Sequence, residues 1–435
     1  VYRNGNWFYG NASEGSINFN DEHKVSTDGW RLEVTPKQEW RQILHEAWRL
    51  QRDFFYDSGM HGIDWEEILL RYGHMIDRVT TRDDLVDLIK EIQGELHTGH
   101  AYIGGGDSPR PKSAPVGFLG VDLKPDPKSG YYRITNLLNP EPGTKNGTSP
   151  LVKADPQAVT GTYILAVNGR KTDAGKNILR LFQDQSGKEI SLTLNEKPTL
   201  KGSREVIIRT IGSENRLRYL DWVAQKQEYV AEHSNEKIAY LQLPNMGGGG
   251  LSQIGRDYYS QRTMPAMIVD DRYNGGGNIA EYFLKILDSK VWAVQQGRRG
   301  SIDVKPHGGF FGHIAVLCNL ETFSDGETFA EATKRLNIGK LIGTRTWGGW
   351  VWISSRHPLV DNAFISEPEF GGWGLEGDWL IEGHGAEPDV EIINDPASEM
   401  KGKDKQLDYA IQYLLDELER DPRELPKRPT GKIVK

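Results

Sequence analysis

The sequence predicts an α+β multidomain protein in which a small helical bundle, a strand-rich module and an α/β layered domain follow one another. Three observations carry that expectation. Apolar residues recur at helical spacing up to about residue 96, the period then shortens to alternation between about 115 and 200, and beyond 236 strand-like apolar runs alternate with amphipathic helical segments. A length of 435 residues agrees, because one hydrophobic core rarely serves more than roughly 250–300 residues.

Residues 1–36 are rich in Gly, Asn and Ser with scattered aromatics, and read as an extended lead-in or linker. The bundle, 37–110, opens behind Pro36, a favourable first-turn residue. Trp40, Ile43, Leu44, Ala47 and Trp48 fall on one helical face. "WEEILLRYGHMI" predicts a second helix, and a third is expected after the aspartates at 83 and 84, with Leu85, Leu88, Ile89, Ile92 and Leu96 inward. The bundle ends in the histidine motif "ELHTGHAYIGGGD". In 111–205, "VGFLGVDLK", "YYRITNLL", "TYILAVNGR" and "ISLTLNEK" read as strands parted by Pro and Gly turns, with "NILRLFQ" as a short helix. Such a set suits a PDZ-like module whose "GFLG" loop offers backbone amides to a peptide carboxylate.

The α/β domain, 206–420, opens with a charged link over 213–236. "KIAYLQL", "AMIVDDR" and "HIAVLCN" then predict strands, and "NIAEYFLKILD", "DGETFAEATKRL" and "KQLDYAIQYLLDELE" predict helices. Residues 421–435, rich in Pro and Lys, read as a loose tail. No repeat is found.

Composition narrows the function classes. Apolar residues make up 37%, charged residues 26%, and no run reaches the roughly 18 apolar residues of a membrane span, so a soluble protein without a membrane partner is expected. A net charge of −8 without a basic stripe argues against a nucleic-acid partner. Cys318 is the one cysteine, so an intrachain disulfide is impossible and a reducing compartment is the simpler reading. The chain opens at Val1, so the lack of a leader says little.

The chemistry centres on "IAVLCNLETFSDGETFAEA". Ser324 stands where a strand-like run meets a helix, a turn that can present a hydroxyl beside the first helical amides. The alternative is a helix cap, with Glu327 completing an "S-x-x-E" box. "DDRYNGGGNIAEYF" places three glycines after a strand, which suits a close backbone approach to a ligand carbonyl, or simply a flexible turn. A nucleophilic serine needs a base, and His97 and His100 are the suggestive pair. No "HExxH" and no cysteine pair accompanies them, so no metal is expected. Glu382, Glu387 and Asp389 are the acidic candidates.

"EWRQILHEAWRLQRDFFYDSGMHGIDW", "ELHTGHAY", "RYNGGGN", "FSDGETF", "KLIGTRTWGG" and "GAEPDVEI", in this order, resemble the carboxy-terminal half of the tricorn protease family, relatives of the carboxy-terminal processing proteases, from about residue 37 to 420. The resemblance implies a crotonase-like or ClpP-like layered catalytic domain and a serine peptidase acting through an acyl-enzyme. By position it implies Ser324 as nucleophile, His100 as general base, Glu382 completing the catalytic group, and the amides of Gly277 and Asp325 as the oxyanion hole. It further implies peptide substrates, a homo-oligomer in the form of a hexamer, a cytoplasmic location, the trimming of oligopeptides released by larger proteases, and no metal or other cofactor.

Two departures from the family pattern stand out. Gly99 occupies the place of a serine that links histidine to glutamate, so Glu382 is expected to act through water or a shifted contact. Gln295 occupies the place of an aspartate held to favour basic side chains before the cut, and a neutral amide supplies no charge-assisted pair. Three other readings stay open: a Ser–Lys processing protease using Lys334 or Lys340, a non-catalytic peptide-binding scaffold, and an acyl-CoA enzyme of the crotonase type.

Overall fold

The computed structural model describes residues 1–3, 6–11, 13, 18–27, 29–31, 33–108, 111, 113–141 and 147–431. The mixed α+β arrangement is present. Helices α1 (Pro36–Phe54), α2 (Trp65–Gly73) and α3 (Arg82–Gly94) form the bundle. Ile43, Leu44, Ala47 and Trp48 of α1 pack against Leu85, Ile89 and Ile92 of α3 and against Leu96, as their spacing requires. Asp83 and Asp84 lie inside the first turn of α3 rather than ahead of it, because Thr81 and Asp84 cap each other's amides.

A later stretch of chain closes this core. Leu359, Ala363 and Ile365 are buried in it, and Phe364–Ile365 pairs antiparallel with Ile103–Gly104. Two buried polar contacts fix the join: Arg82 Nε to Asp361 Oδ2 at 2.7 Å, and Gln51 Nε2 donating to the Ser366 carbonyl at 2.9 Å.

The strand-rich module is an antiparallel sheet of β1 (Val121–Asp126), β2 (Tyr131–Leu137), β3 (Tyr163–Val167), β4 (Glu189–Asn195) and β5 (Arg204–Arg209), in spatial order β5-β4-β3-β2-β1. Alternation in β4 sends Ile190, Leu192 and Leu194 into the core. Asn168 and Gly169 both take positive φ, which lets Val167 pair with Arg170 across a two-residue turn. β5 carries the sheet past residue 205.

The expected link over 213–236 is instead the 20-residue helix α4 (Asn215–Ser234). Leu217, Leu220, Val223 and Val230 are its buried apolar side chains, too few among charges to stand out by periodicity, and the helix is held by packing on the neighbouring sheet. That sheet is wholly parallel, in order β6 (Ile238–Gln242), β7 (Ala266–Asp270), β8 (His313–Cys318), β9 (Lys340–Gly343) and β10 (Val390–Glu391). Successive side chains leave on opposite faces. Ala239, Leu241, Met267, Val269, Val316 and Leu341 face α5 (Ala280–Leu287) and α6 (Asp325–Arg335), whereas Ile238, Tyr240, Ile268, Ala315, Leu317 and Ile342 face α4 and α7 (Lys405–Arg420). Burial on both faces explains why these strands read as continuous apolar runs. The carboxy-terminal ends of β7 and β8 carry the glycine loop and the Ser324 turn.

At the start of the chain, Tyr2–Arg3, Asn6–Phe8 and Lys24–Val25 form a small antiparallel sheet. Residues 421–431 carry no helix or strand, and the last four residues of the expected tail lie outside the described residues. Among the described residues no helix is long and apolar enough to cross a membrane.

Candidate active site

Ser324 sits between β8 and α6 with φ 58° and ψ −122°, a backbone conformation that L-residues seldom adopt. Three contacts hold the turn there. Phe323 N donates to the Asn274 carbonyl at 2.9 Å, Thr322 Oγ1 to the Asp271 carbonyl at 2.8 Å, and Gly326 N to the Phe323 carbonyl at 3.0 Å. Glu327 reaches back to the Ser324 amide at 3.1 Å, but the Glu327 amide bonds to the Ser324 carbonyl. The Ser324 hydroxyl lies 2.9 Å from His100 Nε2. The Glu327 carboxylate caps the Ser324 amide, and the hydroxyl faces the imidazole.

The glycine loop abuts the same turn. A Cβ on Gly276 would sit 2.5 Å from the Ser324 Cβ, and one on Gly277 would sit 1.9 Å from the Met246 carbonyl oxygen, so neither position has room for a side chain. Met246 N donates to Gly276 O and Asn278 N donates to Met246 O, both at 2.7 Å. In that parallel bridge the amide of Gly277 itself points to the opposite side. Asp325 Oδ2 accepts from Ala280 N at 2.9 Å, tying the start of α6 to the start of α5. Burial raises the Asp325 carboxyl above the ordinary range, opposed by the amides donating to it.

His100 also has positive φ, 59°. Ser366 Oγ fixes its backbone, donating to the His100 carbonyl at 2.6 Å and accepting from Tyr102 N at 2.7 Å. Its ring stacks on Phe323, centroids 4.5 Å apart and planes 21° from parallel, and Phe323 meets Trp347 edge-on. A hydroxyl donating to Nε2 requires the tautomer with its proton on Nδ1. Nδ1 is buried and has no hydrogen-bond partner among the described residues. Burial depresses the imidazole's affinity for a second proton, and the charge of Glu382 only partly opposes this.

Glu382 follows Ile381, another residue of positive φ. Its Oε1 accepts from Thr98 Oγ1 at 2.7 Å and from Gly99 N at 2.9 Å, and its Oε2 accepts from Trp350 N at 2.5 Å and Val351 N at 2.8 Å. The carboxylate thus holds the backbone beside the histidine and not the imidazole. Where a serine was absent, the Gly99 amide takes up the contact. A Cβ at 99 would lie 2.9 Å from Gly349 Cα and 3.0 Å from the Trp347 ring.

Glu327, considered from sequence only as a cap partner, is fully buried and accepts from Thr346 Oγ1 at 2.6 Å, Gly348 N at 2.7 Å and Gly349 N at 2.8 Å. Burial raises its carboxyl and these donors oppose the rise. Phe323, Thr98 and Ser366 carry no pattern that would have marked them. Gln295 is exposed on the hairpin Ala293–Gln296/Ile302–Lys305, opposite Asp303, and no contact among the described residues brings it to Ser324. Lys334 donates to the Glu387 carbonyl at 2.6 Å, and Asp389 accepts from Leu341 N, so these residues serve elsewhere. Among the described residues no cluster of His, Cys, Asp and Glu is arranged to hold a metal ion.

A cleft of about 440 Å³ opens over His100, lined also by Tyr102, Glu321, Phe323 and Trp347. A hydroxyl paired with a desolvated imidazole beside a glycine loop can perform acyl transfer. Known proteins agree with this chemistry. Residues 36–94 match the tricorn protease C1 domain, 117–213 the tricorn protease PDZ domain and 237–392 peptidase family S41. "Tricorn protease homolog 1" of Streptomyces coelicolor is 36% identical over 91% of this chain and 37% of its own length. The "Tricorn protease" of Thermoplasma acidophilum is 33% identical over 94% of this chain and 38% of its own. The crystal structure of the tricorn protease superposes with a TM-score of 0.85 at 32% identity, over 91% of this chain and 38% of that one. The chain thus spans less than half the length of these relatives. With the three domains in this order, the chain belongs to the tricorn protease family, of which it carries the C1, PDZ and S41 peptidase domains.

Proposed function

We propose that the chain is the catalytic part of a serine peptidase that hydrolyses peptides through an acyl-enzyme. The observation that carries the reading is the 2.9 Å approach of His100 Nε2 to Ser324 Oγ across 224 residues of sequence. His100 takes the hydroxyl proton as Ser324 attacks the peptide carbonyl. The amides of Gly277 and Asp325 receive the oxyanion, each worth on the order of 3 kcal/mol. The imidazolium protonates the leaving amine, and water then releases the acyl group. Glu382 acts at one remove, holding Thr98 and Gly99 so that the next residue meets the serine.

In this reading the bundle of 37–110 delivers the base, the module of 111–205 is a peptide-receiving unit, and 206–420 carries the nucleophile. Gln295 gives no charge for a basic side chain, so cleavage is not directed to lysine or arginine by that position. We further propose, from the resemblance of its motifs to the family, that the chain trims oligopeptides as part of a cytoplasmic homo-oligomer, in the form of a hexamer. The lone, buried Cys318 suits a reducing compartment. Ser324→Ala should reduce turnover of a mixed peptide library by at least about 10³-fold with an unchanged melting curve. Wild-type product yields from that variant, read by mass spectrometry, would remove the assignment.

A further inference from the structure

The loop Gly117–Gly120 is where a PDZ-type module offers amides to a chain-terminal carboxylate. Here three of the four amides are already engaged. Gly117 N donates to the Phe182 carbonyl at 2.9 Å and Phe118 N to the Ile211 carbonyl at 2.8 Å. Gly120 N donates to a carboxylate, Glu214 Oε1, at 2.8 Å. Gly120 has φ +74°, and a Cβ there would lie 2.7 Å from Pro150 Cδ and 2.8 Å from Ser149 Oγ, so the loop is held in this shape on its other side.

Glu214 comes from outside the sheet, at the start of α4, and is 6% exposed. Its second oxygen accepts from Arg218 Nη2 at 2.7 Å, and Arg218 Nη1 reaches Asp122 Oδ1 on β1 at 2.7 Å. Both carboxylate oxygens therefore have charge-assisted or backbone partners, as a bound terminal carboxylate would. Beside this seat runs a groove of about 390 Å³ lined by Leu119, Val121 and Leu123 on one wall and Ile178, Leu179 and Phe182 on the other. It is an apolar slot with a carboxylate-binding end.

We infer that Glu214 fills the carboxylate seat of this module from within the chain, so that the groove accepts a peptide ending in an apolar residue with a free carboxylate only when Glu214 leaves. An incoming carboxylate would otherwise be deprived of the Gly120 amide and face the Glu214 charge at close range. The Arg218 bridge to Asp122 is the clasp, and Arg218 becomes the cation available to the ligand once Glu214 is displaced.

The test uses the full chain with Ser324→Ala, so that probes are not cut. Fluorescence anisotropy compares one labelled pentapeptide ending in valine as the free acid and as the amide. With Glu214 present the two dissociation constants should agree within about twofold, and Glu214→Ala should favour the acid by at least about tenfold, the equivalent of one interaction of roughly 1.4 kcal/mol. Leu179→Lys, added to Glu214→Ala, should abolish that gain, placing it in the groove rather than the Ser324 cleft. Tenfold preference for the acid in the protein with Glu214 intact would overturn the proposal. So would a folded Glu214→Ala protein that fails to discriminate, which would make Glu214 an anchor for α4 and nothing more. If Glu214→Ala does not fold, Glu214→Gln, which removes the charge, keeps the shape and leaves Arg218 in place, decides by the same ratio, with at least about threefold preference for the acid expected and anything less counting against.

Discussion

In the proposed mechanism His100 is a base made by burial rather than by a charged partner. Its Nδ1 meets no acceptor among the described residues, and desolvation outweighs the nearby Glu382 charge, so the imidazole stays neutral to lower pH than an exposed one. The neutral form is the one that accepts the serine proton. The acid limb of kcat/KM should therefore have its midpoint below about 6.5, the ordinary histidine value. A pH–rate profile with its midpoint at 7 or above would contradict the balance of effects read here. Gly99 makes a second residue-level test. Gly99→Ser places a Cβ 2.9 Å from Gly349 Cα, a backbone atom that cannot move aside alone. We expect the variant to lose activity rather than regain a serine-linked triad, with a stability cost of about 1–3 kcal/mol by denaturant titration. Ser324 and His100, which the structure brings together, were legible as residue types in motifs. The state of the base was not, because it depends on which neighbours the fold brings to Nδ1.

At the scale of elements, the loop after β9 is the coupling piece. Four consecutive amides, from Gly348 to Val351, are shared between two carboxylates: Glu327 takes the first two and Glu382 the last two. Glu327 rides on α6 beside Ser324, and Glu382 grips the histidine loop, so one strap registers Ser324 against His100. Glu327→Ala would strand buried donors that have no other acceptor in place, and thermal or chemical unfolding should show a loss on the order of 3 kcal/mol. Phe323→Leu tests orientation separately. It keeps an apolar side chain but removes the ring on which His100 stacks, so kcat should fall by about tenfold while KM changes little. An equal loss in both parameters would place Phe323 in substrate binding instead. "WGGW" gave no warning of this role, since glycines that donate amides to carboxylates look in sequence like any flexible turn.

Across the whole molecule, the site exists because two cores meet. The bundle that supplies His100 is completed by Leu359, Ala363 and Ile365, which belong to the chain after Ser324, and the buried Arg82–Asp361 pair pins that exchange. Arg82→Ala leaves Asp361 as an uncompensated buried charge and should cost about 3–5 kcal/mol, with activity lost at lower denaturant concentration than the wild type. Arg82→Met with Asp361→Leu should recover most of that stability, because the pair's contribution is largely the penalty of breaking it. If the double variant is no better than the single, the join depends on the ion pair itself.

Taken alone, the sequence determined what local periodicity and composition encode. The α1 stripe from Trp40 to Trp48, the alternation of β4, the doubly buried runs of β6 to β8 and the strand-to-helix turn at Ser324 each follow from side chains a few residues apart. Tertiary structure alone decided the rest: that α4 is a helix where charges suggested a link, that Glu382 reads backbone amides beside His100 and not its ring, and that Glu214 sits in the module's carboxylate seat. Each of these joins groups tens to hundreds of residues apart, and a buried carboxylate takes whichever donors the packing leaves unpaired, which no short stretch of sequence specifies.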